Sequence, residues 1–171
     1  MNDEIRIYVA DLTAYNNGKL HGVWIDATGD LDDIWNAVNA MLKASPEPDA
    51  EEWAIHDYEG FGGYRLSEWE SFERVQEIAQ FIEDHPAIGA ELLSHFGGDL
   101  EDSKKAAEEN YSGCYTSLAD YAQQLTEDTT EIPEPLAYYI DYERMGRDMK
   151  LGGDIFTIET AHDEVHVFWS H

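Results

Sequence analysis

The stretch "EEWAIHDYEGFGGY", residues 51–64, sets His56, Asp57 and Glu59 around Tyr58, and these are the residue types of a metal site or an acid–base pair. Periodicity argues against both. Trp53, Ile55 and Tyr58 suit a strand that ends at the Gly60, Gly62 and Gly63 cluster. Successive side chains of a strand point to opposite faces, so His56 diverges from Asp57 and from Glu59 unless the backbone bends. His162 and His166 have the i, i+4 spacing of a helical metal pair, yet they flank or enter a predicted strand, where four residues span ~13 Å. Cys114 has Asp120 nearby in sequence and no histidine close by, and "GCYTS" carries no activating pattern for a nucleophile. "FGGD" and "LGGD" read as helix terminators rather than phosphate cradles, and no EF-hand spacing occurs. The residues therefore nominate no catalytic group, no metal ligand and no cofactor, and an enzyme is not expected.

What stands out instead is charge. The 171 residues carry 37 Asp+Glu against 10 Lys+Arg, a net of −27, with 43% hydrophobic and 12% aromatic content. Such a chain can build a core, so it is not a disordered acidic tail. The acids are spread evenly: 13 against 3 bases in residues 1–61, 12 against 4 in 62–109, and 12 against 3 in 110–171. That balance argues against a basic patch for direct nucleic-acid binding, because phosphates would be repelled. No run approaches a membrane span, and "MNDEIRIYVADL" lacks a basic start and an apolar signal core. A lone cysteine forms no internal disulfide, and the expected home is a reducing cytoplasm.

Like charge at this level opposes the compact state, so a functional offset is expected. Duplex DNA carries one negative charge per ~1.7 Å of axis, so 27 charges match about 46 Å, or roughly 14 base pairs. A dimer could imitate about twice that length. Composition permits a DNA mimic; it equally permits an acidic, salt-adapted protein with an unrelated protein-binding role. A halophilic protein should lose its fold as screening falls, whereas a decoy from an ordinary bacterium should not.

The elements that must carry these acids follow from patterning. "IRIYVADL" (5–12) and "GVWIDA" (22–27) alternate as strands, with Asn17-Gly18 predicting a tight hairpin between them. Asp30, with Asp33 three residues on, opens a helix whose Leu31, Ile34, Trp35, Val38, Met41 and Leu42 form one apolar stripe. Prolines in "SPEP" stop it, and the opening stretch supplies a third strand, giving β-β-α-β. Ser67 and Glu70 read as a capping box for "EWESFERVQEIAQFIEDH", with Phe72, Val75, Ile78, Ala79 and Ile82 inside. Glu70, Glu73, Glu77 and Asp84 then share an outer stripe within about 60°, although an ordinary solvated face has the same pattern. Phe81 falls near that stripe and is expected to pack on a neighbouring helix. Short helices follow around Leu92, Leu93 and Phe96 and in "LEDSKKAAEEN". Ser117 caps "LADYAQQL", and Pro135 opens "LAYYIDYERMGRDMK" with a break near Gly146. "DIFTIE" and "EVHVFW" make a C-terminal hairpin. Soft boundaries fall at glycines 60–63 and near Asn110 to Gly113.

Four blocks carry a resemblance. "IYVADLTAYNNGKLHGVWIDA" (7–27) resembles the N-terminal signature of the ArdA antirestriction proteins, and "AIHDYEGF" (54–61) resembles the next strand of that family. "IPEPLAYYIDYERMGRDM" (132–149) and "GDIFTIETAHDEVHVFW" (153–169) resemble its C-terminal region. The blocks run in the expected order over nearly the whole chain, while the central helices match in character more than in letter. Such proteins are encoded largely on mobile elements. They imitate bent B-form DNA and occupy the DNA-binding groove of the methyltransferase core of type I restriction-modification enzymes.

The resemblance implies an α+β fold in an elongated chain of three small domains, placed here at 1–61, 62–109 and 110–171, and a homodimer joined through the C-terminal part. The family's antirestriction motif matches "IPEPLAYYIDYERM", from which Pro135 and Gly146 depart, and places the dimer contact on Tyr138, Tyr139 and Tyr142. The expected mimic surface comprises Asp32, Asp33, Glu68, Glu70, Glu73, Glu77, Asp84, Asp99, Glu101, Asp102, Glu108 and Glu109. Asp57 and Glu59 are expected to add to the negative face, and His56 to be structural.

Overall fold

The computed structural model describes residues 4–170; residues 1–3, part of the stretch read as lacking a signal core, and residue 171 lie outside it. The described residues form an α+β protein with two three-stranded antiparallel sheets, and they divide into two compact units, one ending at Leu100 and one starting at Glu101.

The first unit contains strands β1 (Arg6–Asp11), β2 (Gly22–Asp26) and β3 (Trp53–Glu59) in the order β2-β1-β3. Its helices are α1 (Leu12–Asn16), α2 (Leu31–Lys43), α3 (Phe72–Asp84) and α4 (Gly89–His95). The predicted tight hairpin is replaced by a longer connection. Asp11 is fully buried, and its Oδ1 accepts from Ala14 N at 3.1 Å, which caps α1 inside the connection. Of the predicted turn pair, only Gly18 takes positive φ (80°), because α1 already reverses the chain; Asn17 lies at −96°. The other Asp11 oxygen accepts from Ser45 Oγ, tying β1 to the segment after α2.

Helix α2 buries Ile34, Val38 and Met41 of its predicted stripe, with Asp30 at the N-cap position. Helix α3 starts later than the capping box predicts. Ser71, not Ser67, is its N-cap and accepts from Arg74 N at 3.2 Å, while Ser67 Oγ accepts from Trp69 N in a separate turn. The later start places Phe72 at the head of the helix, fully buried and stacked on Trp53 at 4.1 Å, with Trp35 edge-on at 4.7 Å. Val75, Ile78, Ala79 and Ile82 continue the buried face. Phe81 is also buried, close to α4: a Cβ built on Gly89 would lie 3.3 Å from the Phe81 carbonyl oxygen.

The second unit contains β4 (Tyr111–Tyr115), β5 (Ile155–Ala161) and β6 (Glu164–Trp169) in the order β4-β6-β5. The predicted hairpin is β5–β6, and β4, read from sequence only as a boundary, adds an edge strand to it. Helix α5 (Leu100–Lys105) runs on into a π-helical turn, Ala106–Asn110. Helices α6 (Leu118–Thr129), α7 (Glu134–Ala137) and α8 (Tyr142–Leu151) follow. Ser117 caps α6 as predicted, its Oγ accepting from Asp120 N at 3.1 Å. The break predicted near Gly146 lies instead between α7 and α8, where Asp141 caps the new helix by accepting from Arg144 N at 3.0 Å. Gly146 is buried within α8, and a Cβ there would meet Leu118 Cγ at 2.9 Å and its carbonyl at 3.0 Å. The glycine lets two backbones approach rather than interrupting one. Tyr121, Ile155, Val165 and Val167 form the core, with Leu118, Leu125 and Met149 packed against it.

Candidate functional site

The chemically suggestive residues disperse. The β1–β3 ladder shifts register between Tyr8 and Val9, so His56 is the extra residue of a bulge and the strict alternation expected of this strand fails there. The bend does not gather a cluster. His56 lies edge-on to the Tyr15 ring at 4.7 Å, Asp57 accepts from its neighbour Tyr58 N at 2.8 Å, and Glu59 takes Arg6 Nε at 2.7 Å. His162 is exposed in the β5–β6 turn beside Asp163, while His166 is buried. No group of three His, Cys, Asp or Glu suited to a metal ion occurs among the described residues.

One arrangement was invisible in the sequence. Cys114 lies directly across the β4–β6 ladder from His166, although fifty-odd positions separate them. Both imidazole nitrogens are already engaged: Nδ1 lies 2.6 Å from Tyr111 Oη and Nε2 lies 3.0 Å from Thr160 Oγ1. Thr160 donates its own proton to Glu164 at 2.9 Å, so its oxygen accepts from His166 Nε2–H and leaves Nδ1 to accept from Tyr111. That pattern requires a neutral imidazole. Burial pushes the His166 pKa below its usual range, against a smaller upward pull from Glu164. Burial, with Cys114 and Tyr115, raises that of Tyr111. With no lone pair left over, His166 is a poor base for Cys114.

The acids behave differently. Asp32 and Asp33 are exposed in the first turn of α2, where they also favour the positive end of the helix dipole. Glu73, Glu77 and Asp84 are exposed on α3, spaced so that 100° per residue brings them to one face. Helices α2 and α3 pack together, and Gln76 Nε2 of α3 donates to Gly29 O, just ahead of α2, at 3.0 Å. Glu68 and Glu70 precede α3, so Glu70 does not head the stripe as expected, and it is half-buried against Arg74 at 3.1 Å. Asp99 is exposed beyond α4. In the second unit, Glu101 and Asp102 are exposed on α5, and Glu108 and Glu109 on the π-helical turn. Asp32, Asp33, Glu68, Glu73, Glu77, Glu101, Glu108 and Glu109 stand in no ion pair with a described residue. Tyr138 is 97% and Tyr139 84% exposed beside α7, whereas Tyr142 is half-buried at the start of α8.

Fold and surface together define a small acidic α+β protein whose carboxylates are held outward on short helices and are seldom neutralised by a base. The chain belongs to the ArdA antirestriction family: the family model for antirestriction protein (ArdA) matches residues 7–164. No curated protein matched it. Members of this family are inhibitors rather than enzymes, and restriction-modification enzymes are the partners that membership suggests. No helix among the described residues is long and apolar enough to cross a membrane.

Proposed function

We propose that this protein is a DNA mimic that inhibits type I restriction-modification enzymes by occupying the DNA-binding groove of their methyltransferase core. The observation that carries the reading is the outward, unpaired carboxylate set on α2 and α3, in a chain of net charge −27. Carboxylates replace phosphates, and the Lys and Arg side chains of the groove find a negative surface already ordered. Phosphate contacts supply most non-specific affinity for DNA, so the mimic needs no base-like chemistry and competes at any recognition sequence. The acid-rich middle part of the chain, 62–109, bears most of the proposed contact surface, extended by Asp32 and Asp33. The exposed Tyr138 and Tyr139, with Tyr142, form the proposed contact of a homodimer acting in the cytoplasm of the cell that receives the mobile element.

A charge-reversal series tests this placement. Reversing Glu73, Glu77, Glu101 and Glu108 together to Lys is expected to weaken inhibition strongly, while each single reversal has a small effect, because many distributed charges share the load. Undiminished inhibition by the fourfold variant would refute the placement.

A further inference from the structure

We propose that Trp69 and the cavity beside it form an arginine-receiving site on the inhibitory surface, an inference that rests on the proposed decoy function and names the chemistry of its partner. The late start of α3 leaves Trp69 in a turn, where it is 63% exposed. Other tryptophans of this unit have aromatic partners: Trp24 lies against Tyr8, while Trp35 and Trp53 lie against Phe72. The Trp69 ring has no such partner among the described residues. It borders a cavity of about 400 Å³ whose other walls are Leu12, Trp53, Glu51 and Glu52.

The walls are fixed by backbone bonds: Ile55 N donates to Glu68 O and Leu12 N to Glu52 O, each at 3.0 Å. No cation among the described residues lines the cavity, and two exposed carboxylates rim it. An open indole face, apolar walls and acidic rim are complementary to a planar cation on an apolar stem. Guanidinium stacks on Trp and pairs with carboxylate in a fork, and it is weakly hydrated, so it suits this site better than an ammonium. Trp and Arg are also the residues in which interface energy concentrates. The occupant is therefore an arginine side chain of the restriction enzyme's DNA groove. A DNA phosphate could offer that arginine charge but not this aromatic face together with it.

The test uses the full-length protein and a purified type I methyltransferase core. Trp69→Ala is expected to weaken binding about tenfold and Trp69→Phe less than threefold, with the salt dependence of affinity unchanged in both. The indole N–H resonance of Trp69, assigned by its loss in Trp69→Phe, is expected to shift on titration with acetyl-arginine amide, and to shift less with acetyl-lysine amide. Wild-type affinity in Trp69→Ala, or an indole resonance unmoved by acetyl-arginine amide, would overturn the arginine site. If Glu73→Lys/Glu77→Lys still weakens binding in that event, the decoy function stands without it. A wild-type protein that does not bind the core would remove both.

Discussion

At the scale of single residues, His166 and Phe72 make the sharpest statements. His166 is neutral because burial disfavours its charge and because Tyr111 needs its Nδ1 as an acceptor. Its pKa in the folded chain lies below the unfolded value near 6.5, so its contribution to stability is complete above that value. The contribution is lost as pH falls from there through the lowered folded pKa. Wild type is expected to lose more stability between pH 7.5 and 5.5 than His166→Gln does, as read from urea midpoints, and a proton NMR titration should place the imidazole midpoint below 6.5. Equal losses would show that Glu164, Tyr111 and Cys114 around the ring leave it free to charge. Phe72 joins the sheet to the helical part of the first unit through Trp53 and Trp35. Its complete burial leads to an expected loss of about 3–5 kcal/mol for Phe72→Ala in equilibrium unfolding.

At the scale of elements, the start of α3 and the passage of α8 past α6 are decided by local physics that substitutions can read. Ser71→Ala removes the acceptor for Arg74 N and should cost about 1 kcal/mol, whereas Ser67→Ala should cost less, because Ser67 serves only a turn. The reverse ranking would return the helix start to the capping-box position. Gly146→Ala improves helix propensity, yet its Cβ meets the Leu118 carbonyl at 3.0 Å, so a net loss of about 1 kcal/mol or more is expected from overpacking.

These same elements mark where sequence reading succeeds and where it stops. Apolar periodicity placed β1–β3, α2 and the β5–β6 hairpin, because each buries one face against a neighbour and the pattern records that face. It missed α1 because the cap that makes the helix, Asp11, is a buried acid that reads as the polar end of a strand. It missed β4 because "YSGCY" lies on a sheet edge with little buried surface to impose alternation. The capping-box pattern of Ser67 and Glu70 points to an earlier start for α3, and Ser71, which has Arg74 rather than Glu or Gln three residues on, carries no such signal; the packing of Phe72 on Trp53 goes with the start at Ser71. That start also brings out Trp69, which reads in sequence as one more helical residue. The exposed acids were legible as a set from composition, but their pairing was not, since the Glu70–Arg74 contact depends on where the helix begins.

At the scale of the whole molecule, self-repulsion and function are linked through salt. The net charge of −27 opposes the compact state most at low ionic strength, so stability should rise with added salt while inhibitory affinity falls as the attraction is screened. An acidic protein adapted to high salt would instead unfold when salt is withdrawn. The first unit fully buries many apolar side chains, among them Ile7, Val9, Ile34, Val38, Val75 and Ile78, and this favours a fold that persists there. The most direct test is competition at two salt concentrations between this protein and labelled duplex for a purified type I methyltransferase core. The decoy account predicts that duplex is displaced stoichiometrically at low salt by a protein that circular dichroism shows still folded, and less effectively at high salt. Duplex that stays bound in the presence of excess folded protein would contradict it.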